Sequence, residues 1–398
     1  MSPLKGFLMK KMLICSFLVM MGLLFAQQQK TPYNLIHSDS LRVVKEAGEF
    51  VTNLIGNVHF FYGDTEFKAD FARMRQQPKT AFLQGNVYVN DNDTLQVYAD
   101  EAEYRREVQQ LIFSGNVEAY NDTLTLFANH ATYWQQASRL HAVGDVLMKQ
   151  VHSDSTQTTI ECATMNYFRR DKRITGEGDV RFYNEEDHLH AQCGYVEYDI
   201  EAGYGYMIKK PVLYTVGKDS IYIEAGKLEF FEQQRKLLAS FNVLTRSTDY
   251  NTRSDFLIYM LDEEKALFIG QPEFYSEFAD GIASEFHIYF KERKIIRAEL
   301  IDSCYIEFTA EEGKPKDNRV SSDLIEFDFF DSGYIRLATA TGNVDSYMQQ
   351  DESKKKDFFV NKASGKEMII TVNEDNKIDM VVMKNKVSGN YKFKDKNN

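Results

Sequence analysis

The residues best placed to do chemistry form one run, Glu185-Glu186-Asp187-His188-Leu189-His190. On a strand, His188 and His190 alternate onto one face, and two imidazoles with a carboxylate can hold a divalent ion. A short acidic run between apolar segments is also ordinary hairpin-turn chemistry. The turn is the reading carried forward, and no metal or cofactor is assigned. The thiols beyond the N-terminal segment are Cys162, Cys193 and Cys304. An odd number is not a disulfide scaffold, and Cys304 reads as a buried thiol. No nucleophile elbow, phosphate-binding loop or zinc motif is present. A carbohydrate-active β-solenoid enzyme would need paired carboxylates converging in a cleft. The acids here spread through turns, so the chain reads as a binding protein and not an enzyme.

The chain has 398 residues, of which 43% are hydrophobic and only 6 are proline, enough for a real core. Lys10 and Lys11 precede the uncharged apolar run Met12 to Ala26, followed by Gln27-Gln28-Gln29. That order is a secretory signal peptide over residues 1–26, with cleavage expected after Ala26. Leu24 fits the cleavage site poorly, so an uncut anchor is the alternative. Cys15 lacks the small residues that a lipoprotein signal places before its cysteine. Removing Lys5, Lys10 and Lys11 takes the net charge from −12 to −12 − 3 = −15. Such a chain does not suit a nucleic-acid partner.

The elements that must position any site are repeats. Gly56-Asn57-Val58, Gly85-Asn86-Val87, Gly115-Asn116-Val117 and Gly342-Asn343-Val344 are copies of one tripeptide. Gly144-Asp145-Val146 and Gly178-Asp179-Val180 are near copies. Sixteen residues before the glycine stands a small residue, followed five positions later by a large and usually aromatic one. Ala69 leads to Met74, Ala99 to Tyr104, Ala128 to Tyr133 and Cys162 to Tyr167. About eleven copies fit between Ser38 and Gly389-Asn390.

Within a copy the apolar period is two, which means strand. Leu83, Gly85, Val87 and Val89 share one parity. In the other arm Leu95, Val97 and Ala99 share a parity that Ala102 and Tyr104 reverse. A strand that switches its apolar face without ending bends through a corner. Charged turns such as Arg105-Arg106-Glu107 alternate with Asn/Asp/Gly turns such as Asn90-Asp91-Asn92-Asp93. Two strands and two turns per thirty residues make a hairpin. Each strand is about 11 residues, or roughly 37 Å, and bends across two layers. The prediction is an elongated antiparallel meander folded over itself, with corners at Gly56, Gly85, Gly115, Gly144, Gly178 and Gly342. A parallel β-solenoid is the alternative geometry. In the meander Cys162 and Cys193 stand two strands apart, about 9.6 Å, too far to bridge.

The small-residue corner followed by the apolar-Gly-Asn-Val arm, in tandem after a secretory signal, resembles the OstA-like family. This includes LptA, LptC and the N-terminal part of LptD. The likeness extends over about residues 33–392 and is sharpest in 50–182, where Ala69-Asp70 and Ala99-Asp100 match. It fades at Phe241-Asn242-Val243, Gly270-Gln271-Pro272 and Asp302-Ser303-Cys304. The resemblance implies a half-open β-jellyroll in the periplasm, outer-membrane associated in some members. It implies lipopolysaccharide transport from inner to outer membrane, with the lipid A acyl chains shielded in a groove. The chain has more repeats than one bridge module, so two fused modules are an option. It lacks the outer-membrane barrel of LptD, and 393–398 reads as a basic tail.

The inward row is Leu83, Val87, Val89, Leu95, Val97, Phe113, Val117, Leu124, Leu126, Leu140, Val146, Met148, Val180 and Phe182. Each residue either closes the core or contacts an acyl chain. Anionic headgroups would then sit outside, near Arg73, Arg75, Arg105 and Arg106, which are otherwise solvated turn cations. Edge strands near Leu41–Val43 and Met368–Thr371 are expected to add to LptC-like and LptD-like jellyroll domains or to another copy of this chain. A lipid-free structural or adhesive rod is the rival reading.

Overall fold

A computed structural model of the protein describes residues 33–395, apart from short stretches at 78, 93–94, 122–123, 153–154, 187, 217–219, 249, 293, 310–312, 350–356 and 375–377. The signal segment with Cys15, and Lys396, lie outside the described residues. The chain forms two compact units, the first ending at Arg106 and the second beginning at Glu107.

The first unit is a meander of β1 (Tyr33–His37), β2 (Ser40–Glu46), β3 (Glu49–Tyr62), β4 (Thr65–Arg75), β5 (Thr80–Asp91) and β6 (Leu95–Arg105). β1 and β2 share β3 as partner, and β3 to β6 pair in chain order. The second unit opens with β7 (Gln110–Asn121), β8 (Leu124–Trp134), β9 (Arg139–Val151), β10 (Gln157–Phe168), β11 (Arg173–Asn184) and β12 (Leu189–Asp199). Short strands follow: β13 (Tyr204–Ile208), β14 (Val212–Thr215), β15 (Ile221–Glu224) and β16 (Lys227–Phe231), then a single 3₁₀ turn. Two long strands, β17 (Lys236–Ser247) and β18 (Tyr250–Met260), precede a second short set. That set is β19 (Lys265–Ile269), β20 (Glu273–Ser276), β21 (Ala279–Ile282) and β22 (Glu285–Lys291). The unit closes with β23 (Lys294–Phe308), β24 (Asn318–Phe329), β25 (Ile335–Gln349), β26 (Asp357–Val372), β27 (Ile378–Lys384) and β28 (Ser388–Asp395). β28 carries the repeat to Asp395, three residues into the stretch expected as a basic tail. The pairings are antiparallel throughout both units, which sets the parallel solenoid aside.

The corner has a defined geometry. Along β4 and β5 the register runs from Phe71 opposite Gln84 to Lys68 opposite Tyr88, stepping over Ala69-Asp70 and Gly85-Asn86-Val87. Gly85 has φ +75° and Asn86 φ +46°, two left-handed residues in succession. Glycine and asparagine are the residues that take this region most readily. Asn86 Nδ2 donates to Asp70 Oδ2 at 2.8 Å. The asparagine is therefore exposed, as read from the sequence, but it is also clamped to the aspartate that follows the small residue. Asn57 to Asp39 and Asn343 to Asp323 repeat the bond, and Asn129 to Asp145 runs it in reverse.

The aspartate also explains why the glycine cannot carry a side chain. A Cβ on Gly85 would lie 2.5 Å from Asp70 Oδ2. Copies that lack the glycine keep the backbone: Phe241-Asn242, Asp302-Ser303, Lys209-Lys210 and Asn385-Lys386 are all left-handed pairs. In most of them the glycine has moved to the opposing strand. Gly226 faces Phe241, where a Cβ would meet the Phe241 Cβ at 2.8 Å, and Gly194 faces Lys209 in the same way at 2.7 Å. Ser364-Gly365 likewise opposes Asn385-Lys386, with Lys366 N–H donating to Asn385 O. Asp302-Ser303 opposite Ser284 has no glycine on either side and marks the exception.

The short strands arise from proline. Pro211 and Pro272 occupy the slot of the returning valine, after Lys209-Lys210 and Gly270-Gln271. Proline has no N–H for the ladder, so pairing stops at the corner and resumes as a separate strand. Outward residues pin the register. Arg139 lies over Trp134 at 5.2 Å and Phe168 at 5.4 Å, and Arg173 over Phe168 at 4.5 Å, all cross-strand neighbours. Such pairs contribute roughly 0.2–1 kcal/mol each.

Gly85→Ala is expected to lower unfolding free energy by about 2 kcal/mol, from left-handed strain plus the clash. Asp70→Gly vacates the contested space. In a denaturant double-mutant cycle the pair should therefore be less destabilised than the sum by roughly 1 kcal/mol. Strict additivity would show that the two positions do not compete for one volume.

Candidate functional site

Twelve of the fourteen inward-row residues are buried: Leu83, Val87, Val89, Leu95 and Val97 in the first unit, and Phe113, Val117, Leu126, Leu140, Val146, Met148 and Val180 in the second. Leu124 and Phe182 are half-buried. Leu83 and Phe113 are 0% exposed. The alternation restarted by each corner places both arms' apolar residues inward, where the twelve buried ones are packed core.

The first unit is closed on the side away from its corners. Tyr104, at the far end of β6, touches rings from the opposite ends of β3 and β4. Its centroid lies 5.5 Å from that of Tyr62 and 5.3 Å from that of Phe67. Phe67 stacks on Phe60 at 4.8 Å, and Tyr33 of β1 packs on Phe60 and Tyr62. Arg106, in the turn after β6, lies over the Tyr33 ring at 4.9 Å. These side chains form a mouth of aromatic contacts over the apolar interior. In the second unit Asn121 Nδ2 donates to Tyr167 Oη at 3.0 Å, again joining opposite strand ends. The recurrent aromatic five residues after the small one is therefore a mouth residue at Tyr104 and Tyr167. Sequence reasoning registered its period but missed its position. Tyr33 gave no signal, because it precedes the first recognised copy.

Three of the four expected headgroup cations are already neutralised. Arg73 pairs with Glu46, Arg75 lies 3.7 Å from Glu46 and 3.9 Å from Glu49, and Arg105 is 2.9 Å from Glu103. Arg106 has no carboxylate within ion-pair distance among the described residues. A polar cleft of about 450 Å³ in the second unit gathers Lys316, Arg319 and Lys362, but Glu307 and Asp317 share it and Lys316 pairs with Asp280 at 2.5 Å. His190 stacks between Tyr183 at 4.7 Å and Tyr214 at 5.0 Å, while His188 stands in the turn and Asp187 lies outside the described residues. Cys162, Cys193 and Cys304 are free and buried.

Burial pushes the Tyr33 phenol up to about 12, with the Arg106 charge pulling the other way. Tyr104 is raised for the same first reason, with Tyr62 adding to it. The thiols of Cys162, Cys193 and Cys304 are pushed up to about 11 by burial.

The fold places the chain among all-β antiparallel proteins of the jellyroll class. Two family models then match this chain: residues 30–133 match OstA-like protein, and residues 96–204 match LptA/(LptD N-terminal domain) LPS transport protein. The likeness to the OstA-like lipopolysaccharide transport family, whose members are not enzymes, therefore holds over residues 30–204, less than half of the chain. No curated protein matches the chain. Among solved structures, it is similar to LptH, described as the LptA homologous periplasmic component of the conserved lipopolysaccharide transport device from Pseudomonas aeruginosa. Identity is 17% over 38% of this chain and 85% of that chain, with a TM-score of 0.25, too loose to bear on fold or function.

The raised groups fix an alkaline limit. They stay neutral in the folded state after the unfolded chain has ionised, near 9.0 for thiols and 10.0 for phenols. Their stabilisation is whole below those values and lost as pH rises through about 11 to 12. The thermal midpoint is expected to hold up to about pH 9 and fall beyond it. Tyr33→Phe should flatten the part above about pH 10. Circular-dichroism melts across this range check both slopes.

Proposed function

We propose that the protein is a periplasmic lipopolysaccharide carrier that shields lipid A acyl chains in its apolar interior, as part of a bridge between inner and outer membranes. The observation that carries this reading is the inward row of Leu, Val, Phe and Met, twelve of its fourteen members buried, between arms whose far ends touch through side chains such as Tyr104 with Phe67 and Asn121 with Tyr167. Burying one CH₂ gains about 0.8 kcal/mol, so a twelve-carbon chain can gain several kcal/mol even when partly covered. Loading needs no catalytic group. It needs the mouth contacts to part.

The edges support a place in a bridge. β1 and β2 pair on one side with β3, and β27 and β28 with β26. Leu35, Ile36, Leu41, Val43 and Val44 are exposed along the first edge, and Ile378, Met380, Val381 and Tyr391 along the last. Strand addition of LptC-like or LptD-like jellyroll domains would satisfy the open backbone groups and cover these side chains. The Met368–Thr371 segment expected as an edge is interior instead, because β27 covers it.

Native mass spectrometry of the mature protein, purified gently from its own periplasm, tests the reading. A co-purifying lipid A species is expected, and Val117→Asp or Leu126→Asp should lose it while circular dichroism stays β. A clean apo mass with no uptake of added lipopolysaccharide would overturn the carrier reading and favour a lipid-free rod.

A further inference from the structure

Two hydrogen-bond donors at the mouth of the first unit have nothing to donate to. Tyr33 Oη and Arg106 Nε are both shielded from solvent and have no hydrogen-bond partner among the described residues. They belong to side chains in direct contact, the guanidinium carbon lying 4.9 Å from the Tyr33 ring centre. Buried donors are nearly always satisfied, and an orphan costs about 1–3 kcal/mol, more when charged. Arg73 Nε is also unpartnered, but that guanidinium has its charge matched by Glu46. Arg106 donates through Nη2 to the Arg75 carbonyl at 3.2 Å, a neutral acceptor that leaves its charge unmatched. Asp91, which acts on nearby Tyr104, accepts from Thr65 Oγ1 at 3.1 Å.

We propose that Tyr33 and Arg106 form an anchor for an anionic phosphate oxygen on the headgroup of an amphiphile whose chains enter the adjacent apolar interior. The inference rests on the lipid-carrier reading and adds the headgroup chemistry to it. Arg106 Nε can only donate and the Tyr33 hydroxyl can donate, so one acceptor satisfies both. The unmatched guanidinium makes it an anion. Position supplies the amphiphile: the donors border Phe60, Tyr62, Phe67 and Tyr104, the rings that close the interior. A phosphate held there leaves its acyl chains at that aromatic seam. Release of the ring contacts and satisfaction of the two donors become one event.

Binding of three probes to the full mature chain tests this: lipid A carrying its phosphates, the same lipid A with the phosphates removed, and inorganic pyrophosphate. Tyr33→Phe and Arg106→Gln are compared with wild type and with Arg105→Gln, whose guanidinium is already paired. Each test variant is expected to weaken phosphorylated lipid A about tenfold and to change the dephosphorylated lipid by less than about twofold. Tyr33→Phe should leave the unfolding midpoint at neutral pH unchanged or higher, because it removes an orphan hydroxyl. Equal weakening of both lipids would mean that the two side chains only pack the mouth, and the anchor falls. No weakening of either lipid overturns it as well. If wild type takes up neither lipid but binds pyrophosphate through both residues, the anion site stands for a free phosphate and the carrier reading falls. If nothing binds, both fall.

Discussion

At nearly every corner two backbones approach so closely that one of them goes without a side chain, Asp302-Ser303 opposite Ser284 being the exception. The rest of the fold depends on that constraint. A strand has to turn its apolar face through the corner in two residues without leaving its neighbours, and two left-handed residues in succession do this. Their path brings the chain against the residue after the small one on the adjacent strand, as Gly85 meets Asp70. Glycine on either side satisfies the geometry, so Gly85 faces Asp70 in one copy and Gly226 faces Phe241 in another. Where side chains are present, the same closeness lets Asn86 reach the Asp70 carboxylate, so the constraint also supplies a clamp.

The corner sets the parity of everything after it. Because the alternation restarts at Val87, both arms turn Leu and Val inward, and the interior is apolar along each unit. The ends away from the corner have no backbone to join them. In the first unit they are held by ring contacts among Tyr33, Phe60, Tyr62, Phe67 and Tyr104. Aromatic pairs contribute about 0.5–1.5 kcal/mol each beyond area burial, so a few of them sum to a few kcal/mol. A twelve-carbon chain gains an amount of that size or more on entering. On the proposed carrier reading, a lipid would displace these ring contacts and leave the corner in place.

The repeat was legible in the sequence because corner and turn use residue types chosen for backbone conformation. Gly-Asn-Val and the small residue sixteen positions earlier are local facts about φ and space. The antiparallel pairing, the corners and the inward parity could all be read from them. What could not be read was compensation across strands. The Phe241-Asn242 copy looked degraded because its glycine stands at Gly226, fifteen residues away in the chain and opposite it in space. Lys209-Lys210 and Asn385-Lys386 were invisible as corners for the same reason. The splitting of strands at Pro211 and Pro272 was visible as prolines but not as ladder breaks, since the valine slot is defined only once the corner is known.

The candidate site divides along the same line. Burial of twelve of the fourteen inward-row residues followed from the period within each strand; Leu124 and Phe182, near strand ends, are half-buried. The state of each arginine did not follow from it, since pairing depends on which carboxylate lies across the ladder. Arg73, Arg75, Arg105 and Arg106 look equivalent as turn cations. Glu46, Glu49 and Glu103 neutralise the first three, and among the described residues no acid lies within ion-pair distance of the fourth. Of the two guanidinium Nε atoms shielded from solvent without a partner among the described residues, that of Arg73 belongs to a side chain paired with Glu46, and that of Arg106 does not. The Tyr33 hydroxyl, against the Arg106 group, is likewise buried and without a partner among the described residues. Solvation could have satisfied either donor if the mouth were open. Closed, the cluster leaves both donors without an acceptor beside the apolar interior, and the proposed anion is what would supply one.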